Sequence, residues 1–330
     1  MKALRNILVA ALAALSFTSC AFREVFVEGT LISIRFEGDM TRPDGSVPEL
    51  FEAVFFDAGT GERVASDFIP SGGGQMHLSA GDYRYVIYNF DLESTFLTQT
   101  ENIGTLSAST SAAASSSSAL YRKVLEFDAS NDGTGKDASL RGASAEVLHE
   151  PDAFFVATGS ISVPHRSGED EVILLNVKPV NLVHRITLSV EGITGAENVA
   201  SVTAFLTDLS GSVSPATEAT GNDLAAFYLT CTGGKDSFAS TMNYFGPLSA
   251  ERYERDGVRV MAFIVISGIG GERFLVTRDV TDFILDAADK KDIHVVVVCS
   301  VDVPAPVIED DGFRPTLDDW FETEVPVPIG

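Results

Sequence analysis

The chain of 330 residues is long enough for about two domains, and 45% of it is hydrophobic, enough to give each a core. With 47 Asp and Glu against 23 Lys and Arg, the formal net charge is −24; residues 1–20 hold only Lys2 and Arg5, so without them 21 bases face 47 acids. A surface this acidic repels phosphate backbones and anionic headgroups, which excludes nucleic-acid partners and basic-patch membrane attachment.

The N-terminus reads as two cations, an apolar stretch from Ile7 to Phe17, then Thr18-Ser19-Cys20. The stretch is shorter than the roughly 20 residues a membrane span needs, so it reads as an export signal. Small residues directly before a Cys resemble a bacterial lipobox, FTSC. The expectation is a signal peptide over residues 1–19 and a mature protein beginning at Cys20, held to the membrane by acyl chains (palmitate-type) on that residue. Ala21 is not Asp, which by resemblance to Gram-negative lipoprotein sorting points to the outer membrane and the cell surface.

Beyond the signal the dominant period is two. Ile32, Ile34 and Phe36 alternate with Ser33, Arg35 and Glu37, placing one apolar face on a strand. Similar segments follow at Phe51 to Asp57, Tyr83 to Phe90, Ala153 to Val163 and Val172 to Val177, each bounded by Gly, Pro, Asp or Ser. After Lys178-Pro179 the series resumes with RITLSVEG, VASVTAFLTD, AFYLTC, VRVMAFIVIS, RFLVT and HVVVVCSV. The fold class is therefore all-β: two tandem antiparallel β-sandwich domains, one over residues 20–178 and one over 179–330. Within the first of them the strand signal fades over 98–150, where SASTSAAASSSS (107–118) reads as part of a long mobile loop with one or two short elements around Leu120 to Phe127. A short helix is expected over 281–291, with Phe283, Ile284, Ala287 and Ala288 on one face.

Catalytic strings such as H-E-x-x-H, G-x-S-x-G, C-x-x-C or a P-loop do not occur, the five histidines are scattered, and neither catalytic residues nor a cofactor are assigned. GIGG at 268–271 and GGG at 72–74 read as turns. Asp128-Ala-Ser-Asn-Asp132-Gly133 imitates the first half of a calcium loop, but Ser139 stands where a bidentate Glu should close the shell and Lys136 intrudes. A solvated loop explains it better. Cys231 and Cys299 lie beside strand-like runs; two separate buried thiols fit that context, and export leaves a disulfide between them open. Glycan capture would call for exposed aromatic faces; Trp320 is the only tryptophan, and Tyr83, Tyr85 and Tyr88, which could substitute, alternate within one strand and read as half-buried structure.

Four strings together resemble the fimbrillin-like superfamily of lipoproteins associated with type V pili: GGGQMHLSAGDYRYVIYNFDLES near 72–94, VTAFLTDLSGSV near 202–213, NYFGPL at 243–248 and DGFRPTLDDWFETEVPVPI at 311–329. The resemblance implies transthyretin-like, Greek-key sandwiches at the cell surface in a pilus anchor, accessory subunit or adhesin, with pilus subunits or surface polymers as partners and no enzyme activity. It also implies strand exchange after proteolysis at an Arg that frees a first strand. Here Arg42 follows the first strand, but Pro43 makes the Arg-Pro bond a poor protease substrate. At the C-terminus Val325, Val327 and Ile329 alternate with Pro326 and Pro328, which remove donors from one edge only, so that strand docks on one side. The expected role is an anchored end-piece; surface glycan binding is the alternative.

Overall fold

The computed structural model describes residues 29–131, 146–165, 172–235, 237–287, 290–306 and 323–324. The first half forms β1 (Thr30–Phe36), β2 (Leu50–Asp57), β3 (Arg63–Pro70), β4 (Gly74–Leu78) and β5 (Gly81–Asn89), then β6 (Thr95–Thr98), β7 (Ser107–Thr110), helix α1 (Ser115–Asn131), β8 (Val147–Leu148), β9 (Phe155–Val163), β10 (Val172–Val177) and β11 (Val180–Asn181). Two sheets result, β10-β1-β4 and β11-β9-β5-β2-β3.

The second half forms β12 (Val183–Thr194), β13 (Val199–Ser210), β14 (Ser212–Val213), β15 (Leu224–Gly234), β16 (Ser237–Phe245), helix α2 (Ala250–Asp256), β17 (Met261–Gly268), β18 (Arg273–Asp279), helix α3 (Thr281–Leu285), β19 (Asp292–Asp302) and β20 (Thr323–Glu324). Its connectivity repeats that of the first half. β12 lies between parallel β19 and antiparallel β16, as β1 lies between parallel β10 and antiparallel β4. β13 lies between β15 and β17, as β2 lies between β3 and β5, and β18 flanks β17 as β9 flanks β5. The all-β class holds, but the sheets are mixed: joining first to last strand in parallel is a long-range choice that side-chain alternation does not encode.

The central strands are buried on both faces. In β2, Phe51, Ala53 and Phe55 face an inner core with Ile32, Ile34 and Ile87, while Val54 and Phe56 face a second cluster with Val86, Tyr88, Phe154 and Phe245. This is why FEAVFFD reads as a nearly continuous apolar run. Strands β13 and β17 do the same: Ala204, Leu206 and Ile264 join the large inner core, and Phe205, Phe263 and Val265 face outward.

What covers the outer faces is the stretch expected to be a mobile loop. β6, β7 and β14 form a small sheet whose Ala108 and Val213 close the second cluster, and α1 lays Tyr121 and Val124 against Phe205 and Phe263. Tyr121 and Val124 are three apart and share a helix face. The Ser run concealed this because serine is a poor signal for either element, whereas here burial of a few flanking side chains decides the structure. In the predicted 281–291 helix, only Thr281–Leu285 is helical; Ile284 is buried but Phe283 is 60% exposed.

Truncating Tyr121 to Ala removes a ring packed 5.1 Å from Phe205. It should cost about 3 kcal/mol, read as a lower urea midpoint.

Candidate functional site

Cys20 and the trio Val325, Val327 and Ile329 lie outside the described residues, as do Trp320 and Asp132. Asp128 falls in the last turns of α1, where its carboxylate accepts from the Thr277 hydroxyl at 2.9 Å, so it is engaged in helix docking. Among the described residues no cluster of three or more His, Cys, Asp or Glu is placed to hold a metal. Cys231 and Cys299 are free, buried thiols on β15 and β19, and burial pushes them up to about 11 and about 12. Tyr83, Tyr85 and Tyr88 are buried, so they offer no platform for a sugar. Tyr88 instead donates to Glu52, a buried carboxylate that also pairs with Arg63 at 2.8 Å. GIGG closes the β17–β18 hairpin, with Gly268 N–H donating to Glu272 at 2.8 Å.

Arg42 sits in a closed turn. Its N–H donates to the Ser46 carbonyl at 2.8 Å, its carbonyl accepts from Gly45 N–H at 2.9 Å, and its guanidinium pairs with Asp91 at 2.6 Å. Pro43 and Gly45, the latter at φ 83°, suit the second and fourth places of such a turn. The guanidinium, together with a hydrogen bond from Asn89, holds the Asp91 carboxyl below its usual range despite burial.

This loop borders two adjoining cavities on the seam between the halves, which share Pro43, Ala153 and Asn243. The larger, about 690 Å³, is acidic, lined by Asp44, Asp91, Glu93, Glu150 and Asp152. Most of these are engaged. Asp152 accepts from the N–H groups of Glu93, Ser94 and Thr95 at 2.8–3.0 Å, and Glu150 accepts from Asn243 N–H at 2.8 Å, tying the halves together. The smaller, about 550 Å³, is mixed in charge, with Lys178, Arg185 and Lys291 beside Asp39 and Asp292 on its wall. His184 lies beneath it, 3% exposed; Lys291 Nζ donates to the Asn181 carbonyl at 2.6 Å and meets His184 Nε2 at 3.1 Å. Burial, reinforced by the Lys291 charge, pulls His184 down to about 4, so the ring is a neutral acceptor for the ammonium. Sequence reading left His184 among scattered histidines, because these cations come from separate stretches that only the fold unites.

Sheet edges are the other exposed feature. Among the described residues β10 and β19 each end a sheet with one side unpaired, and both present apolar side chains: Val172 and Leu174 on β10, Val296 and Val298 on β19, all 42–52% exposed. Among the described residues no helix is long and apolar enough to cross a membrane.

Two repeated seven-strand units with a parallel first-to-last pairing make up the fold, and solved structures share it. A "putative adhesin" of Bacteroides ovatus matches with a TM-score of 0.61 at 18% identity, over 88% of this chain and 99% of that one. The fimbrial anchor protein Mfa2 of Porphyromonas gingivalis matches with a TM-score of 0.50 at 12% identity, over 82% and 90%. No curated protein matches. The chain belongs to the family described as a domain of unknown function, DUF5119, whose model covers residues 19–230.

The His184 environment predicts a pH dependence. Its folded value lies below the ordinary 6.5, so the unfolded chain takes up a proton first and stability falls as pH drops from about 6.5 toward about 4. The loss should be on the order of 1 kcal/mol per pH unit. In urea unfolding at several pH values, His184→Gln should lose less stability than the wild type across that window.

Proposed function

We propose that this protein is a lipid-anchored, cell-surface component of a bacterial outer membrane that works by binding, without catalysis, in anchoring or assembling a fimbrium or in adhesion. The observation that carries the reading is the fold, shared across most of its length with a fimbrial anchor. In this reading residues 20–178 and 179–330 are its two domains, Cys20 carries the lipid, and Val325, Val327 and Ile329 form a strand that docks by one edge.

The fate of the first strand supports an end-piece. β1 is paired along its length with β10 on one side and β4 on the other, and it delivers Ile32 and Ile34, both essentially unexposed, to the inner core. Expelling it would strip two sheet ladders and expose that core. The turn that holds Arg42 guards the same strand, since a protease needs the bond it cuts in an extended segment. A subunit that keeps its first strand does not open a groove there for a neighbour, which suits the base or end of a polymer and not its shaft.

Three outcomes are expected. A tagged protein recovered from outer membranes should bring pilus subunits with it; recovery of a sugar-uptake porin instead would overturn the assembly role. Metabolic labelling with an alkyne fatty acid should mark the wild type and fail in Cys20→Ala. Limited trypsin digestion should leave the Arg42-Pro43 bond intact, and mass spectrometry should find cleavage there only once Pro43→Ala is combined with Asp91→Ala.

A further inference from the structure

The smaller seam cavity is out of character for this chain. Acids outnumber bases about two to one in the sequence, so a cation has a wide choice of carboxylate partners. Yet two of the three cations here form no ion pair among the described residues. Among the described residues Lys178 makes no hydrogen bond or ion pair; its stem lies against Gly38 and its ammonium is left over. Lys291 is held by a carbonyl and a neutral ring, and Glu218 favours its charge only from beyond ion-pair reach. Arg185 has Asp292, at 3.4 Å and exposed. Two ammonium groups that form no ion pair among the described residues, on one concave wall, form a site for an anion.

A bare anion would not suit the remainder of the wall. Asp39 and Asp292 also line the cavity, the former accepting from the Thr41 N–H and hydroxyl and the latter facing Arg185. Their remaining lone pairs repel a second anion but accept hydroxyl hydrogens. Asn243 spends its N–H groups on Glu150 and Pro151, leaving its side-chain carbonyl as a further acceptor. Pro179 and Val180 add apolar surface. The complement of such a wall is a ligand with one negative group and several hydroxyls, and about 550 Å³ holds one or two sugar rings.

We infer that the cavity bounded by Lys178, Arg185, Lys291, Asp39 and Asp292 binds an acidic sugar residue of a surface glycan, its carboxylate held by the two lysines and its hydroxyls by the aspartates. This is a ligand-binding function beyond the assembly role, and it is tested without any pilus component, so either can fail alone.

Calorimetric titration of the detergent-solubilised full-length protein with digalacturonic acid should show saturable binding below about 10 mM, weakening as salt is raised. Lys178→Gln, at an exposed residue with no partner, should leave the melting temperature unchanged and weaken binding about tenfold, the worth of one charge-assisted hydrogen bond. Neutral digalactose should not saturate. Equal binding of digalactose, undiminished binding by Lys178→Gln, or no saturation by digalacturonate would each overturn the proposal. Tighter binding of triglycine through its terminal carboxylate would overturn the sugar assignment.

Discussion

The structure depends on burying sheets from both sides. A sheet with one apolar face needs one partner layer; β2, β5, β13 and β17 carry apolar residues on both, so each half needs a third layer that its seven strands do not supply. That layer comes from the stretch between β5 and β9. Its small sheet covers the first half and its helix covers the second, while β7 pairs with β14 and β8 with β15. The second cluster includes Phe56 and Tyr88 from one half and Val213 and Phe245 from the other, so the seam is itself hydrophobic core. The halves repeat one connectivity, but the covering belongs to both.

Charge is handled sparingly in this framework. Glu52, on a sheet face otherwise apolar, is tolerable because Arg63 and the Tyr88 hydroxyl satisfy it. Asp152 organises the start of the covering segment through three backbone N–H groups, and Arg42 with Asp91 fixes the turn after the first strand. Arg42 and Arg63 thus each close a structural contact, whereas the Lys178 side chain at the seam closes none among the described residues.

Much of the fold was legible where side chains alternate or run apolar between turn residues, as in β1, β2, β5, β9, β12 and β19. Edge strand β3 was not, since Val64, Ser66, Asp67 and Phe68 are exposed or polar and leave no periodic trace. Helix α1 was legible only as a short element around Leu120 to Phe127, because its packing rests chiefly on Tyr121 and Val124 behind a run of serines. At the seam, the Arg42-Pro43 turn could be read from local chemistry, whereas Lys178, His184, Arg185 and Lys291 could not. Lys178 follows β10, His184 and Arg185 open β12 and Lys291 precedes β19, and only the parallel β12–β19 pairing sets Arg185 opposite Asp292 and beside Lys291.

The placement of β1 also fixes how the molecule bears a load. A pull on the chain ahead of Thr30 runs lengthwise along a strand gripped by β10 and β4. The rungs on both flanks then slide together and must fail as a group, where a strand peeled from one end would give way rung by rung. Such a joint stays shut under tension along its axis, a useful property at the root of anything that protrudes from a cell into moving fluid.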